Sequence, residues 1–317
     1  MVQRLRKNRT VGLRSSIVIL GFIYLTAASN LAAAQEPSRI DRNVVYGMYS
    51  GLSLLMDVHY PRKPNGYGVI YIAGSAFYAP LSYADTPLKE TSQVQMYAKP
   101  LLEAGYAVFA IDHRDPPRFR YPAPVEDAQR AVRYLRYHAK EFGIRPDRIG
   151  AVGGSSGAYL VDMLGVLDGK GDPDDPDAVQ RESAKVQCVV SRAAPVDFIN
   201  LVSNRAAFVD IMGMRVELAG KLLPESSVEY KTYQEASPLR HITKDAPPFL
   251  LMHGDADHVV AFRNSEVMED ALRHEGVEVK LLRVPGGDHG ADFPGAKNPP
   301  DYLGEMVRWF DRHLRTN

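Results

Sequence analysis

The chain has a single cysteine, Cys188, so no disulfide can form within it. Its basic and acidic residues number 38 each, and the formal charge at pH 7 is zero. That balance gives no whole-chain attraction for nucleic acid. Long hydrophobic runs are also missing. The longest apolar stretch near the start, Ile17 to Ala28, falls short of the roughly 20 residues that span a bilayer. Arg4, Arg6, Lys7, Arg9 and Arg14 precede it, and Ala32-Ala33-Ala34 follows it. A basic stretch, a short apolar run and small residues make the layout of a cleaved secretory signal over residues 1–34. The alternative is an uncleaved anchor, which the short run disfavours. Cleavage after Ala34 removes those five basic residues and no acidic one, leaving a net charge of −5. A secreted or periplasmic location follows. Cys188 lies in the apolar run Val186–Val190, the setting of a buried small hydrophobe and not of a nucleophile.

What is present is 317 residues of ordinary globular composition, 45% hydrophobic and 24% charged. Apolar runs at Gly68–Ile72, Ala107–Ile111, Ile149–Val152, Val186–Val190 and Phe249–Met252 suit strands buried on both faces. Shorter strand signals lie at Val44–Tyr46, Leu52–Tyr60 and Val279–Val284. Helical patterns at Ser92–Ala104, Val125–Phe142, Ser156–Leu167, Asn264–Glu275 and Tyr302–Leu314 alternate with them. This alternation predicts an α/β fold with a mostly parallel central sheet. No repeat or interdomain linker is seen, so residues 35–317 read as one domain.

Two stretches interrupt the alternation. Asp168–Lys185 carries a Gly/Pro/Asp cluster and reads as an acidic surface loop, because its spacing is not that of an EF-hand calcium loop. Phe198–Glu235, after the sixth strand, places Phe208, Ile211, Met212, Met214 and Leu218 at near-helical spacing. It reads as a small helical insertion, either packing on the core or capping the site.

The chemistry concentrates at Gly153-Gly154-Ser155-Ser156-Gly157, where a strand runs straight into a helix. A G-x-S-x-G turn in that context exposes a serine hydroxyl at a strained corner. Only Ser155 has glycine at both −2 and +2, so it is the nucleophile, and Ser156 offers a main-chain N–H for an oxyanion. A serine needs a base, and the base an orienting acid. Downstream, the strand Phe249–Met252 leads into a turn with two aspartates, Asp255 and Asp257. Another strand leads to Gly286-Gly287-Asp288-His289-Gly290. His59, His113 and His138 precede the serine, His241 and His253 precede the acid, His274 lies on a helix surface, and His258 adjoins the acid badly placed to face it. His289, in a glycine-rich loop, is the base.

With these residues in view, the chain resembles bacterial α/β-hydrolase esterases of the BD-FAE and hormone-sensitive-lipase-like type. The resemblance is carried by Tyr121-Pro122-Ala123-Pro124-Val125-Glu126-Asp127-Ala128, Pro146-Asp147-Arg148-Ile149 before the elbow, and Ala246 to Gly254 before the acid. It runs from about Tyr46 to the end. It implies the α/β-hydrolase fold, an ester-hydrolysing activity and Asp257, not Asp255, as the acid. Where such esterases carry His-Gly-Gly-Gly, this chain has Ala73-Gly74-Ser75-Ala76. The oxyanion would then be held by N–H groups of Ser156 and of Ser75 or Ala76, with the Ser75 hydroxyl as a possible third donor. No metal or organic cofactor is called for. The expected partner is a small-molecule or carbohydrate-linked ester, such as an acetyl or feruloyl ester, with no nucleic acid and no stable membrane anchor. Rival readings are a prolyl-oligopeptidase-like peptidase and a non-catalytic binding protein on the same fold.

Overall fold

The computed structural model describes residues 37–77, 84–116, 118–200 and 224–315. The elements are β1 (Arg39–Tyr49), β2 (Leu52–Tyr60), β3 (Gly68–Ile72), α1 (Ser92–Glu103), β4 (Ala107–Ile111), α2 (Ala123–Tyr137), α3 (Ala139–Phe142), β5 (Ile149–Gly154), α4 (Ser156–Val166), β6 (Cys188–Arg192), α5 (Val228–Ala236), β7 (Phe249–Gly254), α6 (Arg263–His274), β8 (Val279–Val284) and α7 (Tyr302–Leu314). The eight strands form one sheet in the order β1-β2-β4-β3-β5-β6-β7-β8. β1 and β2 run antiparallel, and β4, β3, β5, β6, β7 and β8 are mutually parallel.

The middle strands are apolar on both sides because both sides are covered. Every residue of β3, β4, β5, β6 and β7 is buried. One face sets Ile70, Ile72, Val189 and Leu251 against α2 and α4, with Val132 and Leu135 of α2 packed there. The other sets Val69, Tyr71, Val190 and Met252 against α1 and α7. On α7, Met306, Trp309, Phe310 and Leu314 recur at helical spacing and point inward. Asp301 caps that helix by accepting from Gly304 N–H at 2.9 Å. Full burial of one such side chain contributes about 1.5–3 kcal/mol. No helix among the described residues is long and apolar enough to cross a membrane.

Several boundaries differ from the sequence reading. The helix expected over Val125–Phe142 breaks at His138 into α2 and α3, and Gly143, at φ +68°, ends α3. β6 lies two residues further on than the run Val186–Val190 and reaches Arg192. β1 extends well beyond Val44–Tyr46 because two register shifts let it curl along β2. In the acidic loop, Asp172, Asp175 and Asp177 accept the N–H of Asp174, Asp177 and Val179, and Asp177 also pairs with Arg130. Cys188 is buried and free, and burial raises its thiol. Of the insertion after β6, residues 201–223, with Phe208, Ile211, Met212, Met214 and Leu218, lie outside the described residues. So do residues 1–34, read from the sequence as a cleaved signal.

Candidate active site

A parallel sheet sends all its carboxyl ends to one edge, and that edge gathers the site. Ser155 follows β5 directly, at φ 54° and ψ −122°. A non-glycine residue in that region is strained by about 1–3 kcal/mol, so its surroundings must hold it. Its N–H donates to the Arg192 carbonyl at 2.8 Å. The flanking glycines are needed for space. A β-carbon on Gly157 would overlap the Ile72 carbonyl and lie 2.6 Å from the Ala73 carbonyl. One on Gly153 would overlap Gly157. The crossing is therefore one of three backbones, β3, β5 and α4. The N-terminus of α4 then points its free N–H groups and positive dipole end at the serine.

His289 reaches the serine from the loop after β8. Its Nε2 lies 3.0 Å from Ser155 Oγ and its Nδ1 2.7 Å from Asp257 Oδ2. Its own N–H donates to Asp288 Oδ1 at 2.6 Å. That same carboxylate holds the exposed His258, with Nδ1 at 2.5 Å, so His258 braces the loop. Asp255 is turned outward as well, accepting from Arg283 Nε and Gly286 N–H, each at 2.7 Å. Of the two aspartates in the turn, Asp257 alone meets His289.

Asp257 is buried, with a side chain 1% exposed. Its Oδ1 accepts the N–H of Val259 at 2.9 Å and of Val260 at 2.8 Å. Oδ2 receives His289 Nδ1 and lies 3.3 Å from His253 Nε2. Burial alone would raise this carboxyl, but the hydrogen bonds from His253 and His289 outweigh it and hold Asp257 well below the usual carboxylate range. An ionised Asp257 requires Nδ1 of His289 to carry the ring proton. Nε2 then presents a lone pair to the Ser155 hydroxyl.

Two residues that sequence reasoning passed over support this geometry. His253 is wholly buried in β7; its Nε2 donates to the Val260 carbonyl at 2.9 Å and its Nδ1 faces Ser265 Oγ at 2.7 Å. It fixes the turn that carries Asp257. Arg192, 2% exposed, donates through Nη1 to the Gly290 carbonyl at 2.9 Å while its own carbonyl accepts from Ser155. One residue thus ties the serine turn to the histidine loop. A polar residue ending an otherwise apolar strand was the available signal in both cases.

The loop after β3 carries Ser75 and Ala76, the two donors left open by the sequence. The Ser75 N–H is committed to Ser156 Oγ at 2.7 Å. Its hydroxyl donates to Asp115 Oδ2 at 3.0 Å and is no third donor to the site. Ala76, exposed, sits next in line with its N–H unpaired among the described residues, as does that of Ser156 at the start of α4. Ala76 and Phe77 take φ of 54° and 57°, a left-handed turn that glycine would adopt without strain. Behind it, Phe77, Tyr159 and Phe198 pack edge to face with ring centroids 5.3–6.2 Å apart.

A family model described as BD-FAE matches residues 56–272. The probable carboxylic ester hydrolase LipM of Mycobacterium tuberculosis is 30% identical over 200 residues, which cover 62% of this chain and 44% of LipM. Esterase LipC of the same organism is 26% identical over 271 residues, covering 82% of this chain and 62% of LipC. The chain spans about half the length of these curated relatives. Among solved structures, a truncated form of a carbohydrate esterase from gut microbiota aligns with a TM-score of 0.71 at 26% identity, covering 89% of this chain and 98% of that one. With a family match over more than half its length and an eight-stranded α/β-hydrolase sheet beneath it, this chain belongs to the BD-FAE family.

Proposed function

We propose that this protein is a serine hydrolase of carboxylic esters, working through Ser155, His289 and Asp257. The observation that carries the reading is the continuous hydrogen-bonded line Ser155 Oγ, His289 Nε2, His289 Nδ1, Asp257 Oδ2, at 3.0 and 2.7 Å, on a strained turn beneath a helix N-terminus. In the acylation step His289 Nε2 takes the Ser155 proton as Oγ bonds to the ester carbonyl carbon. The carbonyl oxygen becomes an anion, received by the N–H groups of Ala76 and Ser156. Collapse breaks the ester C–O bond, and the proton passes from His289 to the leaving alcohol. Water then repeats the sequence on the acyl-enzyme, releasing the acid and restoring Ser155. Asp257 holds the imidazole tautomer and stabilises the charged ring throughout.

The names of the relatives support small ester substrates, and the structural neighbour from gut microbiota supports an acyl group carried on a carbohydrate. The basic and apolar order of residues 1–34 supports export to the periplasm or medium with cleavage after Ala34. The test is hydrolysis of p-nitrophenyl acetate and release of acetate from acetylated xylan by wild type and by Ser155→Ala. Turnover by wild type and loss of about 10⁴-fold or more in the variant are expected. Cleavage of peptide anilides in place of esters would support the peptidase reading instead, and no turnover of either would point to a binding protein.

A further inference from the structure

Three adjacent strand ends are tied together beside Ser155 by side chains that acyl transfer does not use. The sheet order β4-β3-β5 sets segment 112–115, the Ser75 loop and the serine turn side by side. Ser75 Oγ and Ser156 Oγ are 3.2 Å apart. The one hydroxyl proton of Ser75 goes to Asp115 Oδ2, so the Ser156 hydroxyl donates to Ser75 Oγ. Ser156 Oγ in turn accepts the Ser75 N–H. The chain Ser156, Ser75, Asp115 therefore runs in one direction and ends on a carboxylate.

The other oxygen of that carboxylate, Oδ1, faces His113 Nδ1 at 3.3 Å, and the same nitrogen lies 3.2 Å from the Arg114 carbonyl. Both neighbours are acceptors, so Nδ1 carries a proton. The Asp115 and His113 side chains are each 1% exposed. Burial works to lower His113, but the charge of Asp115 and the hydrogen bonds to Asp115 and the Arg114 carbonyl outweigh it and push the ring up to about 9. Arg114 locks the segment from behind: Nη2 and Nε reach Asp127 of α2 at 2.7 and 2.9 Å, and its N–H reaches the same carboxylate at 2.7 Å.

What this assembly holds is the strained turn at Ala76 and Phe77, which persists only if its surroundings over-determine it. The rings of Tyr159 and Phe198 clamp it at Phe77, and the two bonds of Ser75 clamp it in front. A buried His–Asp contact is weak support for stability in itself. We propose that Asp115 is a positioning residue for ester hydrolysis, acting through Ser75 to keep the N–H groups of Ala76 and Ser156 aimed at the oxyanion. The proposal rests on Ser155 being the nucleophile of an ester hydrolase.

The test compares wild type, Ser75→Ala, Asp115→Asn and the double variant on p-nitrophenyl acetate, with active sites counted by fluorophosphonate titration. Phenylboronic acid, which forms a tetrahedral adduct on the serine, reports on the oxyanion donors separately. Losing an oxyanion donor outright costs roughly 10²–10³ in kcat, so misaiming it should cost about 10- to 50-fold in each single variant. KM should stay within about threefold, and boronate affinity should fall in step with kcat/KM. The double variant should match the worse single, because both act in one chain. A lowered Tm with kcat per titrated site and boronate affinity unchanged would overturn the proposal, as would multiplying effects in the double variant. Ser75 is half-buried, so Ser75→Ala keeps the test open where Asp115→Asn does not fold. An inactive wild type sinks the ester-hydrolase reading and this one with it. An active wild type with Ser75→Ala at full kcat and boronate affinity sinks this one alone.

Discussion

Replacing Asp257 by asparagine tests the orientation of the base by the hydrogen-bond inventory around one carboxylate. All four groups facing it are donors: Val259 and Val260 N–H at Oδ1, His289 Nδ1 and His253 Nε2 at Oδ2. An amide has one oxygen and one NH₂, so one side must face donor against donor. With the oxygen kept on the two main-chain N–H groups, the NH₂ meets His289 and selects the tautomer with the proton on Nε2. That nitrogen then points a proton at Ser155 Oγ and cannot remove one. The expected loss in kcat is about 10³- to 10⁴-fold, or roughly 4–5.5 kcal/mol of barrier. Asp255→Asn loosens an outward contact to Arg283 and Gly286 and should cost less than about tenfold. The assay is kcat on p-nitrophenyl acetate at pH 8, with Tm measured in parallel. A folded-state carboxyl depressed below its unfolded value stabilises above that value and loses the contribution as pH falls. The Tm deficit of Asp257→Asn should therefore shrink as pH drops below the unfolded value of 3.8. A larger kcat loss in Asp255→Asn than in Asp257→Asn would refute the assignment of the acid.

Gly157→Ala places a β-carbon against the Ile72 and Ala73 carbonyls, backbone that cannot step aside, so it should lower stability by at least about 2 kcal/mol in urea melts despite the better helix propensity of alanine. Asp162, wholly buried in α4, is pushed well above the ordinary carboxylate range by desolvation. A raised folded-state carboxyl gives its full stability below the unfolded value of 3.8 and loses it as pH rises. The Tm of Asp162→Asn minus that of wild type should therefore widen between pH 4 and pH 9, and a constant gap would contradict a buried neutral acid at this position.

The sequence makes some of this visible and hides the rest for physical reasons. Ser155 and His289 could be read because each sits among glycines that only a close backbone approach demands, and the buried strands because two covered faces leave no polar period. Asp257 could not be separated from Asp255 by spacing; the resemblance chose it, and the geometry faces it toward His289. His253, Arg192, Asp115 and His113 were passed over because their roles lie in partners contributed by other elements. Arg192 meets Gly290 across 98 positions, and Ser75 meets Asp115 across 40. The break at His138 was hidden because helical periodicity continues through it, and the true strand at β6 because its last two residues are polar yet buried by the loops above.

The most direct measurement is the site of covalent capture by a fluorophosphonate, read by mass spectrometry of the labelled peptide. One adduct per chain on Ser155, blocked in Ser155→Ala and slowed in His289→Gln, is the expected result. An adduct on Ser156, or labelling that survives Ser155→Ala, would contradict the assignment of Ser155 as the nucleophile.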